Sequence, residues 1–181
     1  QALGTADAPI YFTDNRDASV GGSALEGIPV PGDWQGIYIG DGGSATLGYC
    51  VFSYSIAGLW MFNNVVANPV TNCIFRHNQH GVSANNTSNL VLRNNQFIEN
   101  IYYGVLNNGG PIVDARRNWW GDPSGPYHPS LNAEGQGDPV SDLVLFEDWF
   151  SNPTGQYTIA VPLNPEGGGT VSGAGVYAHG D

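Results

Sequence analysis

The chain has 181 residues, 26 of them glycine and 12 proline, and its 5 Lys+Arg against 16 Asp+Glu leave a net charge of −11. All five basic residues are arginines (Arg16, Arg76, Arg93, Arg116, Arg117), a surface that repels nucleic acid and anionic lipid. The apolar runs are too short for membrane insertion, and the turn-dense composition favours one all-β domain over a helical one.

In chain order, the first thirteen residues read as coil material with no obvious cap before them. No charged segment followed by an apolar run opens the chain, so any export signal is expected to have been removed. A long insertion follows at 14–33. Within it Asp14, Asn15 and Asp17 supply oxygens of the kind that hold Ca²⁺; Asx residues starting turns are the alternative reading.

From Gly36 onward the sequence is periodic. Gly36-Ile37, Gly58-Leu59, Gly81-Val82 and Gly104-Val105 recur at intervals of 22, 23 and 23 residues. Leu47, Val70 and Leu92 form a second column. Cys50-Val51-Phe52, Cys73-Ile74-Phe75, Asn95-Gln96-Phe97 and Asn118-Trp119-Trp120 form a third, spaced 23, 22 and 23. Three apolar columns in so short a repeat predict three short strands per coil, with coils stacked about 4.8 Å apart, and leave no room for an α/β unit. Four to five coils are expected, with Phe52, Phe75, Phe97 and Trp120 as one buried stack.

The corners are punctuated by asparagine. Asn-Asn pairs recur at 63–64, 85–86 and 107–108, and Ser55, Asn78 and Asn100 mark another corner. Asparagine tolerates left-handed backbone, and its amide can bond to the amide one coil away, so a polar ladder is expected. The Pro- and Gly-dense block 118–150 reads as a loop-rich cap that completes a β-helical unit over 1–155. Residues 156–181 form a separate extension in which strand, glycine turn and strand predict a β-hairpin.

These features resemble the right-handed parallel β-helix repeat proteins of the pectate-lyase-like superfamily. Gly-Thr-Ala-Asp-Ala-Pro-Ile-Tyr-Phe-Thr (4–13), Pro-Gly-Asp-Trp-Gln-Gly-Ile (31–37) and Gly-Asp-Gly-Gly-Ser-Ala-Thr-Leu (40–47) are similar to segments of large secreted bacterial members. So is Asn-Trp-Trp-Gly-Asp-Pro-Ser-Gly-Pro-Tyr-His-Pro (118–129), continuing to Val-Ser-Asp (140–142) and Phe-Glu-Asp-Trp-Phe (146–150). The 156–180 segment is similar to the opening of internalin B-repeat-like modules of bacterial surface proteins. The resemblance implies an all-β, right-handed parallel β-helix from a larger secreted or cell-surface protein, bacterial or archaeal.

In enzymes of that superfamily polysaccharide lies along one outward sheet face. Lyases there need a carboxylate cluster for Ca²⁺ with an Arg or Lys base, and hydrolases need paired carboxylates. The outward residues after the column glycines are expected to be Tyr38, Trp60, Ser83 and Leu106, which supply neither. The favoured expectation is therefore a non-catalytic structural or adhesive segment. It would contact polysaccharide through Tyr38 and Trp60, or associate with copies of itself, with no cofactor beyond the Ca²⁺ considered above. The alternative is a polysaccharide lyase, hydrolase or epimerase module. If this chain is itself catalytic, the candidates are Tyr54, His77, Glu99 and Asp122, each two residues after its column aromatic; the competing reading is a solvated polar corner. Cys50 and Cys73 sit one coil apart, within disulfide range, but their parallel Cβ directions favour two stacked reduced thiols.

Overall fold

Each repeat sets short apolar strands between corners that turn on a single residue, so successive repeats stack on one another and no strand pairs within its own coil. The computed structural model describes residues 1–21, 26–63, 66–87, 90–154, 156–159 and 175–178. The first coil contains β1 (Ala2–Leu3), β2 (Ile10–Phe12) and, after the insertion, β3 (Ile37–Ile39). The second contains β4 (Ser44–Gly48), β5 (Cys50–Ser53) and β6 (Ala57–Phe62). The third contains β7 (Val66–Thr71), β8 (Ile74–Arg76) and β9 (His80–Asn85). The fourth contains β10 (Leu92–Arg93), β11 (Gln96–Ile98) and β12 (Tyr103–Asn107). These strands make three parallel sheets, β1-β4-β7-β10, β2-β5-β8-β11 and β3-β6-β9-β12, and the described residues include no helix.

The corners explain the asparagines and more. Tyr49, Asn72, Asn94 and Arg117 turn from the first sheet to the second with φ of 52°, 55°, 56° and 58°. Tyr54, His77 and Glu99 turn from the second to the third with φ of 62°, 53° and 55°. After the third sheet the left-handed residues are Asn63, Asn86 and then Gly109. Of the expected Asn-Asn pairs, Asn64 lies outside the described residues. Asn107 turns inward, its Nδ2 donating to the carbonyls of Pro111 and Leu143.

The expected aromatic stack is present, and it is longer than the repeat suggests. Phe52, Phe75, Phe97 and Trp120 are completely buried, with ring centroids 4.8, 5.3 and 4.7 Å apart. Phe12 adds a fifth ring, 5.0 Å from Phe52. The 14–33 insertion breaks the period between them and hides this member. The glycine column is the counterpart of the stack. A Cβ on Gly58 would lie 2.8 Å from Phe75 Cδ1, and one on Gly81 would lie 2.9 Å from Phe97 Cδ1. Glycine is required because the rings occupy the space of a side chain.

Two amide ladders run parallel to the stack. Ser55 donates from N and Oγ to Asn78 Oδ1 (2.9 and 2.7 Å), and Asn78 donates from N and Nδ2 to Asn100 Oδ1 (3.1 and 3.0 Å). Asn100 donates Nδ2 to Asp138 Oδ2 at 2.6 Å. In the second ladder Cys73 N donates to Asn95 Oδ1, and Asn95 donates to Asn118 Oδ1. Both ladders are buried, so every rung must be satisfied within the protein.

Residues 113–150 wind irregularly beyond the fourth coil, passing the first-sheet side twice. β13 (Val113–Asp114) pairs in parallel with β14 (Val144–Leu145), Val140 bridges to Val105, and Phe150 N donates to Asn118 O. Trp149 lies against Gly125, where φ is +81° and a Cβ would collide with the indole ring. Beyond it β15 (Gln156–Ile159) and β16 (Gly175–Ala178) pair antiparallel.

Candidate functional site

The outward face of the third sheet carries an aromatic patch. Leu59 and Met61 point into the core, which turns Trp60 and Phe62 outward on β6. Tyr38 is in register with Trp60 and is 64% exposed. The two predicted rings do not stack on each other directly; Phe62 joins them, 5.2 Å from Tyr38 and 5.7 Å from Trp60. Trp60 Nε1 donates to Gln35 O at 3.0 Å, fixing the indole. The sequence reading overlooked Phe62 because it follows Trp60 by two residues, where only strand parity marks it as outward. Farther along this face, Ser83 is not open to solvent as expected: it is buried, and Asn108 Nδ2 donates to its Oγ.

The ionisable column is only partly assembled. Tyr54 stacks on His77 with ring centroids 5.7 Å apart, and His77 Nδ1 lies 3.2 Å from Glu99 Oε2. Asp122 does not join them. The chain departs from the corner pattern at Gly121, φ +91°, and the Asp122 carboxylate accepts from Ser124 N and Oγ instead. Those bonds hold its pKa below the usual value, the side-chain bond contributing most. Glu99 is well exposed and His77 partly so, a geometry that leaves this pair largely screened by water.

In the insertion, Asp14 and Asp17 are directed to different partners. Asp14 accepts from Arg16 Nε at 2.7 Å, and that bond holds its pKa down; Arg16 also pairs with Asp33. Buried Asp17 accepts from Thr13 Oγ1 and from Ser19 N and Oγ. Among the described residues no group of three or more His, Cys, Asp or Glu side chains is placed to share a metal.

A groove absent from the sequence reading lies over the second sheet. Tyr11, Val51, Ile74 and Gln96 are in register along its floor, and the corner residues Tyr49, Asn72 and Asn94 form one wall. Arg76 stands among the lining residues. The 150–154 segment folds back over one end, where Gln96 Nε2 donates to Pro153 O, leaving about 470 Å³ of space. Tyr11 comes from the coil that the insertion separates from the repeat, and the fold-back is long-range, so neither leaves a local signal. Beneath the wall, Cys50 and Cys73 are buried free thiols. Burial pushes the Cys73 pKa up to about 12 and raises that of Cys50, the reverse of what a nucleophilic cysteine needs.

The charged residues nearest to a constructed cluster hold the 113–150 segment. Asp114 accepts from Arg116 Nε and Nη2 at 2.9 and 2.8 Å and pairs with Arg93, which hold its carboxyl well below the usual range. No curated protein and no solved structure matches the chain. Residues 8–120 match the family model for the right-handed β-helix region. That stretch is more than half of the chain, and it runs from just before β2 to Trp120, the last ring of the buried stack. The repeat, the stack and the match coincide, and the chain belongs to the right-handed β-helix family.

Proposed function

We propose that this β-helix is a non-catalytic, glycan-contacting segment of a larger secreted or cell-surface protein, bacterial or archaeal, related to the pectate-lyase-like superfamily. The observation that carries the reading is the Tyr38–Phe62–Trp60 patch on a rigid sheet face. Rings of this kind offer apolar faces to the C–H side of a pyranose, while Tyr and Trp keep a polar edge for its hydroxyls. The groove over the second sheet, with Tyr11, Tyr49 and the amides of Asn72, Asn94 and Gln96, adds the same chemistry on a second face. The acidic surface favours neutral over anionic glycans.

Tryptophan emission should change on titration with neutral oligosaccharides. Trp60→Ala should weaken binding roughly 5- to 30-fold, as loss of an aromatic contact worth about 1–2 kcal/mol implies, and leave the fold intact. Release of unsaturated or reducing-end products from polysaccharide, lost in His77→Ala or Glu99→Ala, would instead establish an enzyme.

A further inference from the structure

A second cleft, of about 460 Å³, lies between the fourth-coil corner and the 126–142 block, away from the aromatic patch and the groove. On the coil side Ile101 N and Tyr102 N donate to the carbonyls of Asn78 and Gln79, so the corner is tied to the coil beside it. Tyr103 is in register with His80, and the His80 ring lies 5.5 Å from Tyr102 and 5.9 Å from Tyr103. His80 Nδ1 is buried without a partner, and burial lowers the His80 pKa, so a neutral imidazole backs both phenols.

Across the cleft, Tyr127 is held at both backbone groups: its N donates to Gly137 O, and its carbonyl accepts from Val140 N. His128 is 3% exposed, and its Nδ1 accepts from Ser130 N and Leu131 N. With Nδ1 so occupied, the ring proton resides on Nε2 and is donated to Asp142 Oδ1 at 3.2 Å. A buried, positioned histidine thus aims a carboxylate that is itself 94% exposed.

The lining is unusual in its balance. Three tyrosines, two prolines, Ile101 and Val140 surround a single ionised side chain, Asp142, and no arginine faces the space. An anion has no partner there. A metal ion or a primary ammonium needs several strong oxygen acceptors to replace its water; beyond Asp142 the side-chain oxygens here are neutral phenols and the Ser141 hydroxyl, which is already bonded to Asn107 N and Asp142 O. A quaternary ammonium has no N–H to satisfy, is weakly hydrated, and is attracted by the faces of aromatic rings. We propose that the cleft lined by Tyr102, Tyr103, Tyr127 and Asp142 binds a trimethylammonium group, as in choline. The volume leaves room for the remainder of such a ligand. This site is independent of the glycan reading above.

The test is a two-dimensional NMR titration of the whole chain with choline, tetramethylammonium and the neutral isostere 3,3-dimethyl-1-butanol. Millimolar choline and tetramethylammonium should shift signals of Tyr102, Tyr103 and Tyr127, while the isostere binds much more weakly. Asp142→Asn should weaken choline binding roughly 3- to 10-fold without affecting the isostere, and Tyr127→Ala should weaken it by a similar factor. Both positions are exposed, and an unchanged circular dichroism spectrum verifies the fold. Equal binding of choline and the isostere, or no effect of Asp142→Asn, would reduce the cleft to a merely apolar one and overturn the proposal. Absence of any shift with choline, or displacement of choline by neutral sugars at these same tyrosines, would also overturn it.

Discussion

Asp138 occupies the rung of the first ladder where the preceding coils carry Ser55, Asn78 and Asn100. Burial pushes its pKa up to about 6, against the bonds from Asn100 that favour the carboxylate. Because the folded value is above the unfolded one, its stabilising contribution is complete below the ordinary value of 3.8 and is lost as pH rises through about 6. An asparagine there would accept from Asn100 equally well and offer an Nδ2 to a backbone carbonyl, as Asn78 and Asn100 do toward Phe52 O and Phe75 O. Asp138→Asn should therefore raise stability at pH 7–8 by about 1–3 kcal/mol and flatten its slope between pH 4 and 6. Urea melts across that range measure both, and parallel profiles for the two proteins would contradict the assignment. Nothing local in the sequence marked Asp138: it lies 38 residues after Asn100, outside the period that exposes the other rungs.

At the scale of the element, the stack and the glycine column depend on each other. Phe75 has a ring on either side, at 4.8 and 5.3 Å, so truncating it opens a cavity that its neighbours cannot collapse to fill. Phe75→Ala should cost roughly 3–5 kcal/mol in chemical denaturation. A loss below about 1 kcal/mol would place the ring outside the core. Both columns were legible because each coil repeats them at 22–23 residues, the period being set by the geometry of the coil itself. Phe12 was not, since the insertion shifts it out of phase, and Asp122 was misplaced because Gly121 ends the corner pattern one residue early. The aromatic face was half legible: parity gave Tyr38 and Trp60, whereas Phe62, which links them, was missed. The groove and the tyrosine-lined cleft escaped because each needs a segment that returns from beyond residue 125.

In the whole molecule the described strands of the four coils pair only with those of the coils beside them, so stability is approximately a sum of coil-to-coil interfaces and is vulnerable where one is weak. Among the described residues the fourth coil pairs with the irregular 113–150 segment through isolated bridges alone, Val91 with Asp114, Gln96 with Trp119 and Val105 with Val140, and through Asp114 between Arg93 and Arg116. The depressed pKa of Asp114 means that its contribution is present above the ordinary carboxylate value and is lost as pH falls through the folded one. Asp114→Ala should lower global stability by roughly 1–3 kcal/mol and speed hydrogen exchange in 113–150 more than in the second and third coils. Uniform acceleration along the chain would show that this interface is not the weak one. The two carboxylates thus act in opposite directions, Asp138 favouring acid and Asp114 favouring neutral pH.

The ladder of Ser55, Asn78, Asn100 and Asp138 also has a grammar. An amide accepts a hydrogen bond from the coil before it and donates one to the coil after it, so the motif contains no instruction about when to end. An ionised carboxylate accepts hydrogen bonds and donates none. Asp138 takes the bonds from Asn100 and has no donor with which to address a further coil. In the second ladder Asn118 accepts from Asn95 and turns its own Nδ2 to the carbonyls of Leu92, Ala115 and Arg116. Length in this fold is thereby written into side-chain chemistry as punctuation: asparagine is the letter that can be copied indefinitely, and aspartate is the full stop.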